Sequence, residues 1–223
     1  MSKKRSNALS AIDSFARVYC GDSDKKQGLS GTQSNSGSPS ARHVLGPIEI
    51  QNMEFSTLPL TGVWKTFLGM PSENFKIMVY GRAGNGKSTF SLLLAGYLSR
   101  NLHKRVLYVA GEERFGYTLK EKVQRLGIAN ENLYLADELP YSFSGYDVIF
   151  FDSVNTLDLD ASDLETFPKE KAYVWIFQST KTGQYRGSQA YSHNSDTVVK
   201  VEKLKATLDK NRFGPCDKTM KIL

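Results

Sequence analysis

The chain has 223 residues, 40% of them hydrophobic and 11% aromatic, which is enough apolar material for the core of one large domain. With 29 Lys and Arg against 23 Asp and Glu it carries a formal charge of +6, a balance that suits a polyanionic partner. The two isolated cysteines, Cys20 and Cys216, exclude a disulfide framework and a zinc knuckle. No run approaches the roughly 18 apolar residues of a membrane span and no apolar leader opens the chain, so a soluble, cytoplasmic protein without membrane contact is expected.

Residues 1–45 read as a flexible basic arm. Lys3, Lys4, Arg5, Arg17, Lys25, Lys26 and Arg42 oppose only Asp13, Asp22 and Asp24 there, so 7 − 3 gives +4 of the total charge. Between Ser30 and Ser40 almost no side chain has apolar surface to bury, which predicts a mobile linker. Upstream, Leu9, Ile12, Phe15, Ala16 and Tyr19 fall at helical spacing. That segment is either a short amphipathic helix that docks on a partner or neighbouring subunit, or a partly helical arm.

Residues 46–223 read as the second domain, and its most informative segment comes early. The apolar, β-prone run from Phe75 to Tyr80 leads into Gly81-Arg82-Ala83-Gly84-Asn85-Gly86-Lys87-Ser88, a complete G-x-x-x-x-G-K-S phosphate loop. The leucine-rich stretch Thr89 to Asn101 that follows reads as helix, so the motif has the strand-loop-helix setting its chemistry requires. Gly81, Gly84 and Gly86 allow the backbone to wrap closely around phosphate oxygens, and Arg82, Ala83, Asn85 and Thr89 complete the cradle. Lys87 is the residue to lie between the β- and γ-phosphates, and the Ser88 hydroxyl is a ligand for Mg²⁺.

Beyond the loop, strands and helices alternate. Expected strands are Ile77 to Tyr80, Arg105 to Ala110, Asn132 to Ala136, Asp147 to Asp152, Tyr173 to Gln178, Thr197 to Leu204, Ala206 to Lys210 and a last one over Lys218 to Leu223. Tyr117 to Leu126 reads as a helix with Leu119, Val123 and Leu126 on one face. Continuous apolar runs such as Val148-Ile149-Phe150-Phe151 suit strands buried on both faces. The fold class is therefore α/β, with a mostly parallel central sheet flanked by helices and an antiparallel C-terminal extension.

Two strand ends carry acids. The segment Asp147 to Ser153 is a buried strand ending in Asp152, the form of a Walker B segment whose aspartate holds the magnesium shell. Leu107-Tyr108-Val109-Ala110-Gly111-Glu112-Glu113 is a second such strand, and a carboxylate at its end can polarise an attacking water.

These residues carry a resemblance. Leu107 to Glu113, the helix ending Arg125-Leu126-Gly127-Ile128, and Asn132 to Leu135 resemble the ATPase core of the RadA/Sms branch of the RecA-like superfamily. Lys210-Asn211-Arg212-Phe213-Gly214 is identical to the KNRFG signature of that branch, and Thr180 to Gly183 resembles its T-K-x-G segment. The similarity spans about residues 58–214 with its motifs in order. It implies ATP as the nucleotide, Glu112 as the catalytic glutamate with Glu113 as the fallback, and Gln178 as a sensor of the γ-phosphate. It also implies that Lys210 and Arg212 reach a neighbouring subunit's active site in a homo-oligomeric ring or filament, where an arginine's planar fork neutralises transition-state charge.

The segment Lys181 to Asn194 falls where RecA-like proteins carry a DNA-binding loop. There Lys181 and Arg186 are expected on phosphates and Tyr185 and Tyr191 on unpaired bases. Against this, residues 155–171 hold Asp158, Asp160, Asp163, Glu165 and Glu170 with only Lys169 and Lys171, a balance that repels a phosphate backbone. The cysteines and length of the family's zinc and Lon-like domains are absent, so the chain resembles an isolated motor core. The expected function is a Mg²⁺-dependent ATPase acting as an oligomer on single-stranded DNA in recombination, repair or replication. The alternatives are a DnaB-like helicase motor core and a KaiC-like regulatory ATPase switch acting on proteins.

Overall fold

Side-chain alternation along the central strands sorts the core into two layers, one on each face of a single sheet. The computed structural model describes residues 45–160, 162–179 and 189–223. The chain divides into two units, Met1–Phe55 and Ser56–Leu223. In the first, α1 (Pro47–Gln51) opens on a proline, which suits the first helical position, and buries none of its residues. The helix and linker expected upstream, and Lys181, Tyr185 and Arg186, lie outside the described residues.

In the second unit, α2 (Gly62–Leu68) precedes β1 (Lys76–Gly81), α3 (Lys87–Asn101), β2 (Val106–Ala110), α4 (Tyr117–Leu126), β3 (Leu133–Ala136), β4 (Val148–Asp152) and α5 (Asp163–Thr166). Then come β5 (Ala172–Gln178), α6 (Gln189–Asn194), β6 (Thr197–Glu202), β7 (Lys205–Asn211) and β8 (Thr219–Lys221). The eight strands form one sheet in the order β3-β2-β4-β5-β1-β6-β7-β8. The first six are parallel to one another, and β7 and β8 continue the sheet antiparallel.

Ile77, Val79, Tyr108, Phe150, Val174 and Ile176 point to one layer, where α2, α3 and α4 supply Phe67, Phe90, Leu94, Leu98 and Leu119. Met78, Leu107, Ile149, Phe151, Tyr173, Trp175 and Phe177 point to the other. That face is covered mainly by aromatic side chains from loops and short helices: Phe143, Phe167 and Tyr191 stand edge-on to, or stacked with, Phe151, Tyr173, Trp175 and Phe177. Burial from both sides explains the unbroken apolar runs. Helix α4 has the expected single apolar face and ends at Gly127, whose φ of 59° is a left-handed stop.

Most strand boundaries shift by one or two residues from expectation, and one shift bears on the site. The strand read as Thr197 to Leu204 stops at Glu202, and Lys203 and Leu204 form a two-residue turn with φ of 49° and 58°. Such a turn ordinarily takes Asn-Gly, so the sequence gives no local signal of it. Among the described residues no helix is long and apolar enough to cross a membrane.

Candidate active site

Parallel strands deliver their C-terminal ends to one edge of the sheet, and along that edge β2, β4, β5 and β1 are neighbours. Glu112 follows β2, Asp152 ends β4, Gln178 ends β5 and the phosphate loop follows β1. The strand β5 lies between β4 and β1, so Asp152 and Gly81, where the loop leaves β1, are about two strand spacings, or ~10 Å, apart across the edge. A crevice at the carboxyl ends of such strands is where α/β sheets take their ligands.

The loop is built by left-handed glycines, with φ of 75° at Gly84 and 98° at Gly86, the residue before α3. Arg82, Ala83 and Gly84 are exposed, and Lys87 and Thr89 are buried. The Lys87 ammonium donates to the Arg82 carbonyl at 3.1 Å, folded back onto the loop. Burial pushes the Lys87 ammonium below its ordinary pKa, opposed by the charges of Asp152 and Glu112.

Asp152 is only 4% exposed. Its Oδ2 accepts a hydrogen bond of 2.6 Å from the Tyr108 hydroxyl, itself buried and stacked on Phe150, while Oδ1 has no hydrogen-bond partner among the described residues. Burial drives the carboxyl above its ordinary value, offset by Tyr108 and the neighbouring Ser88 hydroxyl. Among the described residues no three His, Cys, Asp or Glu side chains gather to cage a metal. Mg²⁺ needs no such cage, since it is held through one or two protein oxygens, water and phosphate. An unpartnered buried carboxylate oxygen close to Ser88 fits that ion.

Two acids follow β2, and the structure separates them. Glu112 accepts from the Gln178 side-chain amide at 2.9 Å, and its backbone N–H donates to the Asp152 carbonyl at 3.0 Å. Glu113 instead pairs with Lys122 on α4. Glu112 is thus joined to the last residue of β5, whereas Glu113 is engaged by a lysine, and its second carboxylate oxygen is buried without a partner among the described residues.

The KNRFG segment lies at the other end of the sheet. Asn211 sits opposite Thr197, which is level with Ile77 on β1. Gly81 is four residues further along that strand, or about 13 Å at the rise of an extended chain. Lys210 donates to the carbonyls of Ser192, His193 and Ser195 at the end of α6, a use of its charge that the sequence did not reveal. The Asn211 side chain donates to Leu68 and accepts from Thr197 and the Phe213 N–H. Phe213 packs on the core, and its carbonyl would lie 2.2 Å from a Cβ at Gly69. Arg212, 58% exposed on its side chain, pairs with Asp196.

Tyr191 requires a correction. It is 2% exposed, packed edge-on to Trp175 and Phe177, with its hydroxyl on the Asp160 carbonyl at 2.7 Å. It is a core residue and cannot stack on a base. Tyr108 was missed as a site residue because an aromatic in a buried strand reads as packing, and nothing in the sequence pairs it with an acid 44 positions away.

No family model matches the chain, and no curated protein matches its sequence. Among solved structures it is similar to the flagellar accessory protein FlaH from Methanocaldococcus jannaschii, with a TM-score of 0.56 and 16% identity over 74% of this chain and 93% of that one. It is also similar to a KaiC-like protein from the hyperthermophilic archaeon Pyrococcus horikoshii, with a TM-score of 0.52 and 13% identity over 70% of this chain and 89% of that one. At these identities the likeness speaks for the fold alone, an α/β fold with a mostly parallel sheet that the chain shares with those two proteins.

Proposed function

We propose that the chain is a Mg²⁺-dependent RecA-like ATPase that works as an oligomer and whose nucleotide state switches a protein assembly. The observation that carries this reading is the Gln178 to Glu112 hydrogen bond, set along the same sheet edge as Lys87 and the unpartnered Asp152 oxygen. The loop amides and Lys87 bind and orient the triphosphate. Glu112 takes a proton from water as the water oxygen bonds to the γ-phosphorus, and the bond from that phosphorus to the β–γ bridging oxygen breaks, leaving ADP and phosphate. Gln178 holds Glu112 in place. Ser88 and Asp152 would hold Mg²⁺, which would supply neutralising charge for the phosphates. Arg212 sits too far along the sheet to serve its own loop, which favours a role across a subunit interface.

The protein-directed output rests on two features. The acidic balance of residues 155–171 opposes a phosphate backbone, and Tyr191 is withdrawn into the core. The names of the similar structures, a flagellar accessory protein and a KaiC-like protein, agree with it. The KNRFG sequence supports a second reading, a RadA-type ATPase acting on single-stranded DNA through Lys181, Tyr185 and Arg186. Steady-state ATP hydrolysis with and without single-stranded DNA, with Lys87→Ala as the blank, separates the two. Hydrolysis indifferent to DNA is expected, and strong, salt-sensitive stimulation would transfer the proposal to the DNA reading.

A further inference from the structure

Gly81 and Gly86 are forced by something besides phosphate. A Cβ on Gly81 would lie 2.2 Å from the Val201 carbonyl oxygen, and one on Gly86 would lie 2.6 Å from Leu204 Cδ2. Both obstacles belong to the β6–β7 hairpin, whose two-residue turn is Lys203-Leu204. A branched residue such as Leu204 is disfavoured at a φ of 58°, where Gly or Asn sits without strain. The turn is held by its surroundings: the Leu204 N–H donates to the Asn85 carbonyl at 3.1 Å, and its own carbonyl accepts from Ile222 at 2.9 Å. Leu204 thus touches the phosphate loop twice, by backbone at Asn85 and by side chain at Gly86. Strain retained where an unstrained residue was available directs attention to what the side chain does.

We propose that Leu204 is a positioning residue for the phosphate loop, fixing the Asn85-Gly86 peptide in its binding conformation before nucleotide arrives. The proposal rests on the nucleotide-binding reading above for its functional consequence, and on the contacts alone for its effect on the loop. A loop fixed in advance loses less freedom on binding, which strengthens binding. Lys203 shares the left-handed turn, with a φ of 49°, and serves as the control, since Lys203→Gly relieves comparable backbone strain without removing the side chain on Gly86.

The test uses the full chain as wild type, Leu204→Gly, Leu204→Asn and Lys203→Gly, with a fluorescent ADP analogue as probe and amide hydrogen exchange without nucleotide. Both Leu204 variants place residues suited to the left-handed turn, so each is expected to keep the thermal midpoint close to wild type. Binding should nevertheless weaken about tenfold in both, with Lys203→Gly within about twofold of wild type. Exchange across residues 84–90 should quicken in the Leu204 variants alone. Wild-type affinity together with wild-type exchange in Leu204→Gly would overturn the proposal. If the wild-type chain binds no nucleotide, the functional reading fails, and the exchange comparison still decides whether Leu204 fixes the loop.

Discussion

Gln178 donates its side-chain amide to Glu112 across the end of β4, joining the last residue of β5 to the acid that follows β2 at 2.9 Å. The bond holds the carboxylate over the sheet edge while leaving it exposed to solvent. Glu112→Gln should keep nucleotide affinity and lower turnover by about 10² to 10⁴, the ordinary contribution of a general base. Gln178→Ala should lower kcat more than it changes KM, because the base is still present but no longer held. Steady-state hydrolysis and equilibrium nucleotide binding on the same preparations check both.

Tyr108 and Asp152 form a buried pair whose hydrogen bond leaves one carboxylate oxygen for the metal shell. Tyr108→Phe removes the donor and strands Oδ2, so it should lower stability by about 1–3 kcal/mol in denaturant titration. It should also raise the Mg²⁺ concentration needed for half-maximal nucleotide binding. A loss of stability with an unchanged Mg²⁺ requirement would make Tyr108 a packing residue alone.

The pH dependence of the metal-free chain follows from the same carboxyl. Burial raises Asp152 above 3.8 in the folded state, so the folded chain holds this proton more tightly than the unfolded one. Its contribution to stability is complete below 3.8 and is lost as pH rises through the raised folded value. Asp152→Asn cannot titrate, so its stability should vary less with pH just above 3.8. Urea unfolding across a pH series without Mg²⁺ measures the difference.

Lys210 and Arg212 are two residues apart and should respond differently to removal. Lys210 holds three carbonyls at the end of α6, so Lys210→Ala should lower stability by about 1 kcal/mol. The exposed Arg212 to Asp196 pair contributes little, and Arg212→Ala should leave the thermal midpoint nearly unchanged. If Arg212 serves a neighbour's site, its loss lowers turnover by about 10³ or more. Mixing Arg212→Ala with Lys87→Ala subunits should then restore part of the activity, because some interfaces combine an intact loop with an intact arginine.

Much of the sheet was legible because its chemistry is local. The phosphate loop announces itself by glycine spacing and Lys87, and the runs that became β2, β4 and β5 are apolar on both faces for the reason the structure shows. The helix Tyr117–Leu126 was readable from its single apolar stripe. What escaped depends on contacts between distant positions. Leu204 turns the chain without a turn residue because Asn85 and Gly86 hold it, and Tyr191 looks like a loop aromatic until the sheet brings Trp175 and Phe177 against it. Lys210 reads as a free cation because the carbonyls it satisfies belong to a helix too short to show a pattern.

The most direct test of the account is steady-state hydrolysis of ATP by the full chain with Mg²⁺, beside Glu112→Gln and Glu113→Gln. The predicted result is turnover that Glu112→Gln abolishes and Glu113→Gln leaves largely intact, since Glu113 is engaged with Lys122. Turnover in Glu112→Gln equal to that of the wild type would contradict the assignment of the active site.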